Sequence, residues 1–116
     1  MVDVAVICSR PGLTETWITE LAGIVLHEEG CETDKRLSIV LVDNRRIREL
    51  NAGFLGKDRP TDVIAFPLED DLDDTWGEIY ISVERAEEQA REYGISAVNE
   101  LARLLVHGIL HLCGYN

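Results

Sequence analysis

Two histidines stand four residues apart in "VHGILHLCGYN", residues 106–116: His107 and His111. On a helix, residues four apart lie one above the other with Cβ atoms about 5–6 Å apart, so both imidazoles can reach one ion. A zinc ion with three protein ligands keeps a fourth position for water and lowers its pKa to about 7, which opens hydrolysis without a separate strong base. The metalloprotease pattern puts Glu directly after the first His, but Gly108 stands there, and proteolysis of that type is disfavoured. Taken alone, the pair is more often two hydrogen-bonded histidines on a helix flank with no metal than a metal site.

The glycines beside the pair carry information. Gly108 inside a helix costs about 1 kcal/mol against alanine, so a partner strand or a substrate is expected to approach closely there. Gly114 suits a left-handed position just past a helix end, which would turn the chain back toward the histidines.

The elements that must position this pair can be read along the chain. "VDVAVIC", 2–8, alternates as an edge or half-buried strand with Val2, Val4, Val6 and Cys8 on one side. Residues 14–29 carry Trp17, Leu21, Ile24, Val25 and Leu26 at near-helical spacing, ending at Gly30. "RLSIVLVD", 36–43, reads as a strand, and Asp43 or Asn44 can cap a short helix through Leu50. A loop, "NAGFLGKDRPT", leads into a strand at 62–68, and the acidic run 69–74 reads as a solvated connection. "WGEIYIS", 76–82, sets Ile79 and Ile81 on an inner face, and Ser82 can cap a helix over 83–93 that ends at Gly94. Ser96 starts the last helix, with Leu101, Leu104, Leu105, Ile109 and Leu112 as its apolar positions. The order β-α-β-α-β-β-α-α predicts an α+β fold, a mixed four-stranded sheet covered by helices, as a single domain over 1–116.

Composition bounds the function classes. The chain has 116 residues, 46% hydrophobic and 28% charged, which suits one folded domain. No apolar run approaches the roughly 20 residues of a membrane span, and the N-terminus lacks the pattern of a signal peptide, so a cytoplasmic protein without membrane partners is expected. Three cysteines, Cys8, Cys31 and Cys113, are expected as thiols. With 22 acidic and 11 basic residues the net charge is −11, so any contact with nucleic acid needs a local patch. Arg45, Arg46, Arg48, Lys57 and Arg59 form the candidate, with a solvated helix face and loop as the plain alternative.

"HGILHLCGYN", 107–116, and "LNAGFLGKDRPTDVIAFP", 50–67, together with "GEIYISVERAEEQA" between them, resemble the YbeY family of bacterial rRNA-maturation endoribonucleases. The resemblance runs in order over residues 36–116. It implies an α+β fold with a mixed sheet, a histidine-bound zinc ion, and cleavage of single-stranded RNA. It also implies work on the 3′ end of 16S rRNA and in ribosome quality control, with rRNA, the small ribosomal subunit and assembly factors as partners. Carried over by position, the metal ligands are His107 and His111, and the third family histidine would fall immediately after Asn116. The chain given thus reads as cut just before its third ligand. Cys113 could substitute, although two residues after His111 it points about 200° away, and Asn116 is a poor zinc ligand.

Leu55 stands where the resemblance implies an arginine on the scissile phosphate, and Lys57 or Arg59 could take over that charge. Arg59 is the stronger candidate, because lysine does not match the bidentate fork of arginine. Asp62 reads as a turn residue before a strand, or as an acceptor that fixes the tautomer of a histidine ring. Glu100, about two turns before His107, could serve similarly, with a surface carboxylate as the plainer reading. The catalytic candidates are therefore Lys57, Arg59 and Asp62. The competing functions are a binding module that docks on a ribosomal or assembly-factor partner with a structural metal site, and a zinc hydrolase with another substrate.

Overall fold

Every helix starts at a side-chain cap that the sequence supplies. Thr14 accepts from the Trp17 N–H at the head of α1 (Glu15–Glu28), and Asp43 from the Arg46 N–H at the head of α2 (Asn44–Leu55). Ser82 and Ser96 do the same for α3 (Val83–Tyr93) and α4 (Ala97–Leu112), accepting from Arg85 and Asn99. Each cap satisfies an amide that the first helical turn leaves unpaired, a contribution of about 1 kcal/mol. Among the described residues four strands accompany them: β1 (Val2–Val6) ahead of α1, then β2 (Arg36–Val42), β3 (Val63–Pro67) and β4 (Thr75–Ser82). The structure is a computed structural model and describes residues 2–31, 34–56, 61–68 and 74–115.

The strands form one mixed sheet in the order β1-β2-β4-β3. β1, β2 and β4 run parallel, and β3 pairs antiparallel with β4 at the edge, Val63 opposite Ile81. This is the expected α+β architecture with the expected element order. β1 is indeed an edge strand but stops at Val6, because the Ile7 and Cys8 amides both turn onto the Leu41 carbonyl and end the ladder.

Alternation along the strands separates two cores. Ile39, Leu41, Ile79 and Ile81 face α1, α3 and α4, where Ile18, Leu101, Leu104, Leu105 and Ile109 are buried. Val42 and Ile64, with Val40, Phe66 and Tyr80, face α2 through Ile47 and Leu50. Each such aliphatic side chain stabilises the fold by about 1.5–3 kcal/mol when fully buried.

A helix boundary also differs from expectation. α2 continues beyond Leu50 through "NAGFL" to Leu55, and Gly56 ends it at φ 68°. The helix-poor residues Asn51 and Gly53 are carried by tertiary packing: Ile47 and Leu50 anchor the helix, Asn51 is only 2% exposed, and Gly53 faces open space. Among the described residues no helix is long and apolar enough to cross a membrane, and all three cysteines are free.

Candidate active site on the last helix

α4 lies on the sheet through a close approach at Gly108. A Cβ there would come within 3.0 Å of Ile79 Cγ2 and 3.4 Å of Val63 Cγ2, so the glycine lets the helix settle onto β4 and β3. The expected close neighbour of Gly108 is therefore the sheet. Two residues before Ile79 on β4, Gly77 forms a notch for Leu112, whose Cδ1 would lie 2.8 Å from an added Cβ. With Leu105, Gly108, Ile109 and Leu112 turned inward, His107 and His111 face outward, both exposed.

Past Leu112 the chain turns as expected. The Gly114 N–H donates to the His111 carbonyl and the Tyr115 N–H to the Leu110 carbonyl, with Gly114 at φ 101°. That turn brings Tyr115 beside the histidines. An open groove of about 300 Å³ results, lined by Arg103, Val106, His107, Leu110, His111 and Tyr115.

Glu100 departs from the sequence expectation of a surface carboxylate. It is 0% exposed, because Gln89 of α3 covers the first turns of α4. Its oxygens accept from Gln89 Nε2 at 2.5 Å and from Arg103 Nε and Nη2 at 2.6 and 2.8 Å. The Arg103 guanidinium holds the Glu100 carboxyl below the usual carboxylate range against the opposing effect of burial, with Gln89 adding to the pull. Sequence reasoning did not single out Arg103. The usable signal was an ion-pair spacing, Glu100 to Arg103, one turn ahead of His107 on the same helix.

The other candidate residues are placed as follows. Asp62 precedes β3, where its carboxylate accepts from the Val63 N–H at 2.8 Å and its carbonyl from the Ser82 N–H at 2.9 Å. It acts as a turn residue before a strand, and its charge also reaches Arg103. Arg45, Arg46 and Arg48 are exposed on α2, on the opposite face of the sheet from α4, and the first two pair with Glu49. Lys57, Arg59, Asn116 and the Leu55 side chain lie outside the described residues.

As a metal site, the described residues fit in part. Two imidazoles at helical spacing border one groove, but no group of three His, Cys, Asp or Glu that could hold an ion occurs among the described residues. Cys113 packs against the core instead, and burial, with the Cys31 thiol beside it, pushes its pKa up to about 12.

Comparison with known proteins bears on the family and the fold. The family model of endoribonuclease YbeY matches residues 10–116. The endoribonuclease YbeY of Carboxydothermus hydrogenoformans is 50% identical over 100 residues, covering 85% of this chain and 68% of that protein. That of Bacillus cytotoxicus is 46% identical over 110 residues, covering 85% and 70%. A solution structure of a Thermotoga maritima protein superposes with a TM-score of 0.70 at 34% identity, covering all of this chain and 74% of that one. The chain thus belongs to the endoribonuclease YbeY family.

Proposed function

We propose that this chain is a metal-dependent endoribonuclease that hydrolyses phosphodiester bonds of single-stranded RNA in the groove along α4. The observation that carries this reading is the pair His107 and His111, one turn apart on the wall of one open groove, in a member of an endoribonuclease family. The two histidines would hold a zinc ion with a third donor from outside the described residues, and zinc bound there supplies Lewis acidity for hydrolysis. Lys57 and Arg59 bring positive charge to the phosphate. Asp62, which accepts from the Val63 amide, serves in this reading as the outer acceptor that fixes the tautomer of a histidine ring. Arg45, Arg46 and Arg48, on the opposite face of the sheet, contact RNA that continues around the sheet edge.

The natural substrate in this reading is the 3′ end of 16S rRNA, processed in the cytoplasm on the small ribosomal subunit during quality control. Support comes from the two motifs at 50–67 and 107–116, which match the family in order. A second reading, docking on a ribosomal or assembly-factor protein with a structural metal, draws on the net charge of −11, which suits a basic protein better than a polyanion. Cleavage of a labelled single-stranded RNA separates the two. His107→Ala is expected to slow cleavage by roughly 100-fold or more, the rate equivalent of losing several kcal/mol of metal assistance. Equal rates for the two proteins would sink the metal mechanism and leave the docking reading.

A further inference from the structure

We propose that Arg103 is the phosphate-gripping residue of the α4 groove and that the buried carboxylate of Glu100 is the group that aims it. The assignment rests on the RNA-cleavage reading above and names a contact that its motifs do not contain.

The argument starts from the asymmetry of the pair. Glu100 is 0% exposed, while the Arg103 side chain is 50% exposed. A carboxylate taken wholly out of water is costly unless its oxygens are fully used, and here three donors use them: Gln89 Nε2, Arg103 Nε and Arg103 Nη2. An ion pair that served packing alone would have no need to leave its cation half in water. The fork engages one edge of the guanidinium, and the guanidinium carbon lies over the Tyr93 ring, 5.9 Å from its centroid. Nη1 makes no hydrogen bond among the described residues.

Arg103 itself borders the groove. Arg103, His107 and His111 are successive i, i+4 positions of one helix, so they rise in steps of about 6 Å along one wall. Among the described lining residues, Arg103 is the permanent cation. In a chain of net charge −11 a polyanion is not drawn by the overall field, so binding depends on a cation held at the right spot. A planar fork held in one orientation loses little freedom when it closes on phosphate oxygens. Asp62, on the β3 side, is the other charge that reaches Arg103, and it favours the charged guanidinium.

The test measures binding separately from cleavage. Fluorescence anisotropy of a labelled 2′-O-methyl single-stranded oligonucleotide is followed with the full chain at several salt concentrations. For Arg103→Gln, affinity is expected to fall roughly 10-fold, as for loss of a hydrogen bond to a charged group. The slope of log K against log salt should also drop by about 0.7, the value of one phosphate contact on a single strand. Arg103→Lys should keep the slope with weakened affinity, because it retains the charge without the fork. Glu100→Gln should likewise keep the slope and weaken affinity, as expected of a positioning residue. Arg36→Gln, outside the groove, should match the unaltered chain, and an equal loss there would overturn the assignment.

A residue with a merely structural role would shift the melting temperature without moving the salt slope. Normal binding and slope in Arg103→Gln overturns the assignment while the RNA reading stands. If Arg103→Gln does not fold, Arg103→Lys decides through its affinity: a value equal to that of the unaltered chain overturns the proposal. Failure of the unaltered chain to bind RNA at any salt overturns the RNA reading itself.

Discussion

The arginines of α2 and the arginine of α4 sit on opposite faces of one sheet and are held in opposite ways. On α2, Arg45 and Arg46 share one exposed partner among the described residues, Glu49, at 3.4 and 3.3 Å. On α4, Arg103 is gripped on two atoms by a carboxylate with no solvent contact, which also accepts from Gln89. The α2 cluster has more charge and less position. Exposed pairs of that kind contribute about 0–1 kcal/mol and are screened by salt, whereas a buried partner fixes direction. Counting basic residues in a sequence therefore ranks these two faces in the wrong order for pre-organised contacts.

The sharpest way to break this contrast is to remove the buried anion. Glu100→Ala leaves Gln89 and one edge of Arg103 without their acceptor and is expected to destabilise the chain by about 3 kcal/mol, the low end for a broken buried pair because Arg103 can hydrate. Denaturant unfolding measures it. The same pair gives a pH signature. The Glu100 pKa is lower in the folded than in the unfolded chain, so its stabilisation is full above the ordinary carboxylate range and is lost as pH falls through the lowered folded value. Glu100→Gln should remove that part of the acid sensitivity, and an unchanged acid profile would count against the ion pair.

A smaller effect tests the seat that both histidines depend on. Gly108→Val drives methyl groups into Ile79 and Val63 and should cost about 2 kcal/mol by overpacking, read as a lower melting temperature. The smallest effect belongs to α2: Glu49→Gln should change stability by less than about 0.5 kcal/mol, as for an exposed pair. A loss there as large as that of Glu100→Ala would erase the difference between the faces.

What could be read beforehand followed from local chemistry. Asp43 (or its neighbour Asn44), Ser82 and Ser96 announce helix starts because a short side-chain oxygen is what the first turn lacks, and the caps at Asp43, Ser82 and Ser96 are formed. Ile79 and Ile81 announce the inner face of β4 because alternation is a property of the strand itself. The outward-facing histidine pair followed from helical spacing. The tail of α2 did not, since Asn51 and Gly53 are poor helix formers overruled by packing elsewhere. Nor did the burial of Glu100, which depends on α3 folding back so that Gln89 meets a residue eleven positions away.

The glycine notch in β4 has a bearing on motion. The last turn of a helix ordinarily frays, opening and closing independently of the body it is attached to. Here the Leu112 methyl groups lie in the hollow at Gly77, against the Phe66 carbonyl that lines it, on the strand pair farthest from the β1 edge. The final turn of α4 is thereby coupled to the sheet, and its amide hydrogens should exchange with solvent on the slow timescale of the core. The spacing between His107 and His111 is then a rigid dimension of the molecule, set by a missing side chain on a neighbouring strand.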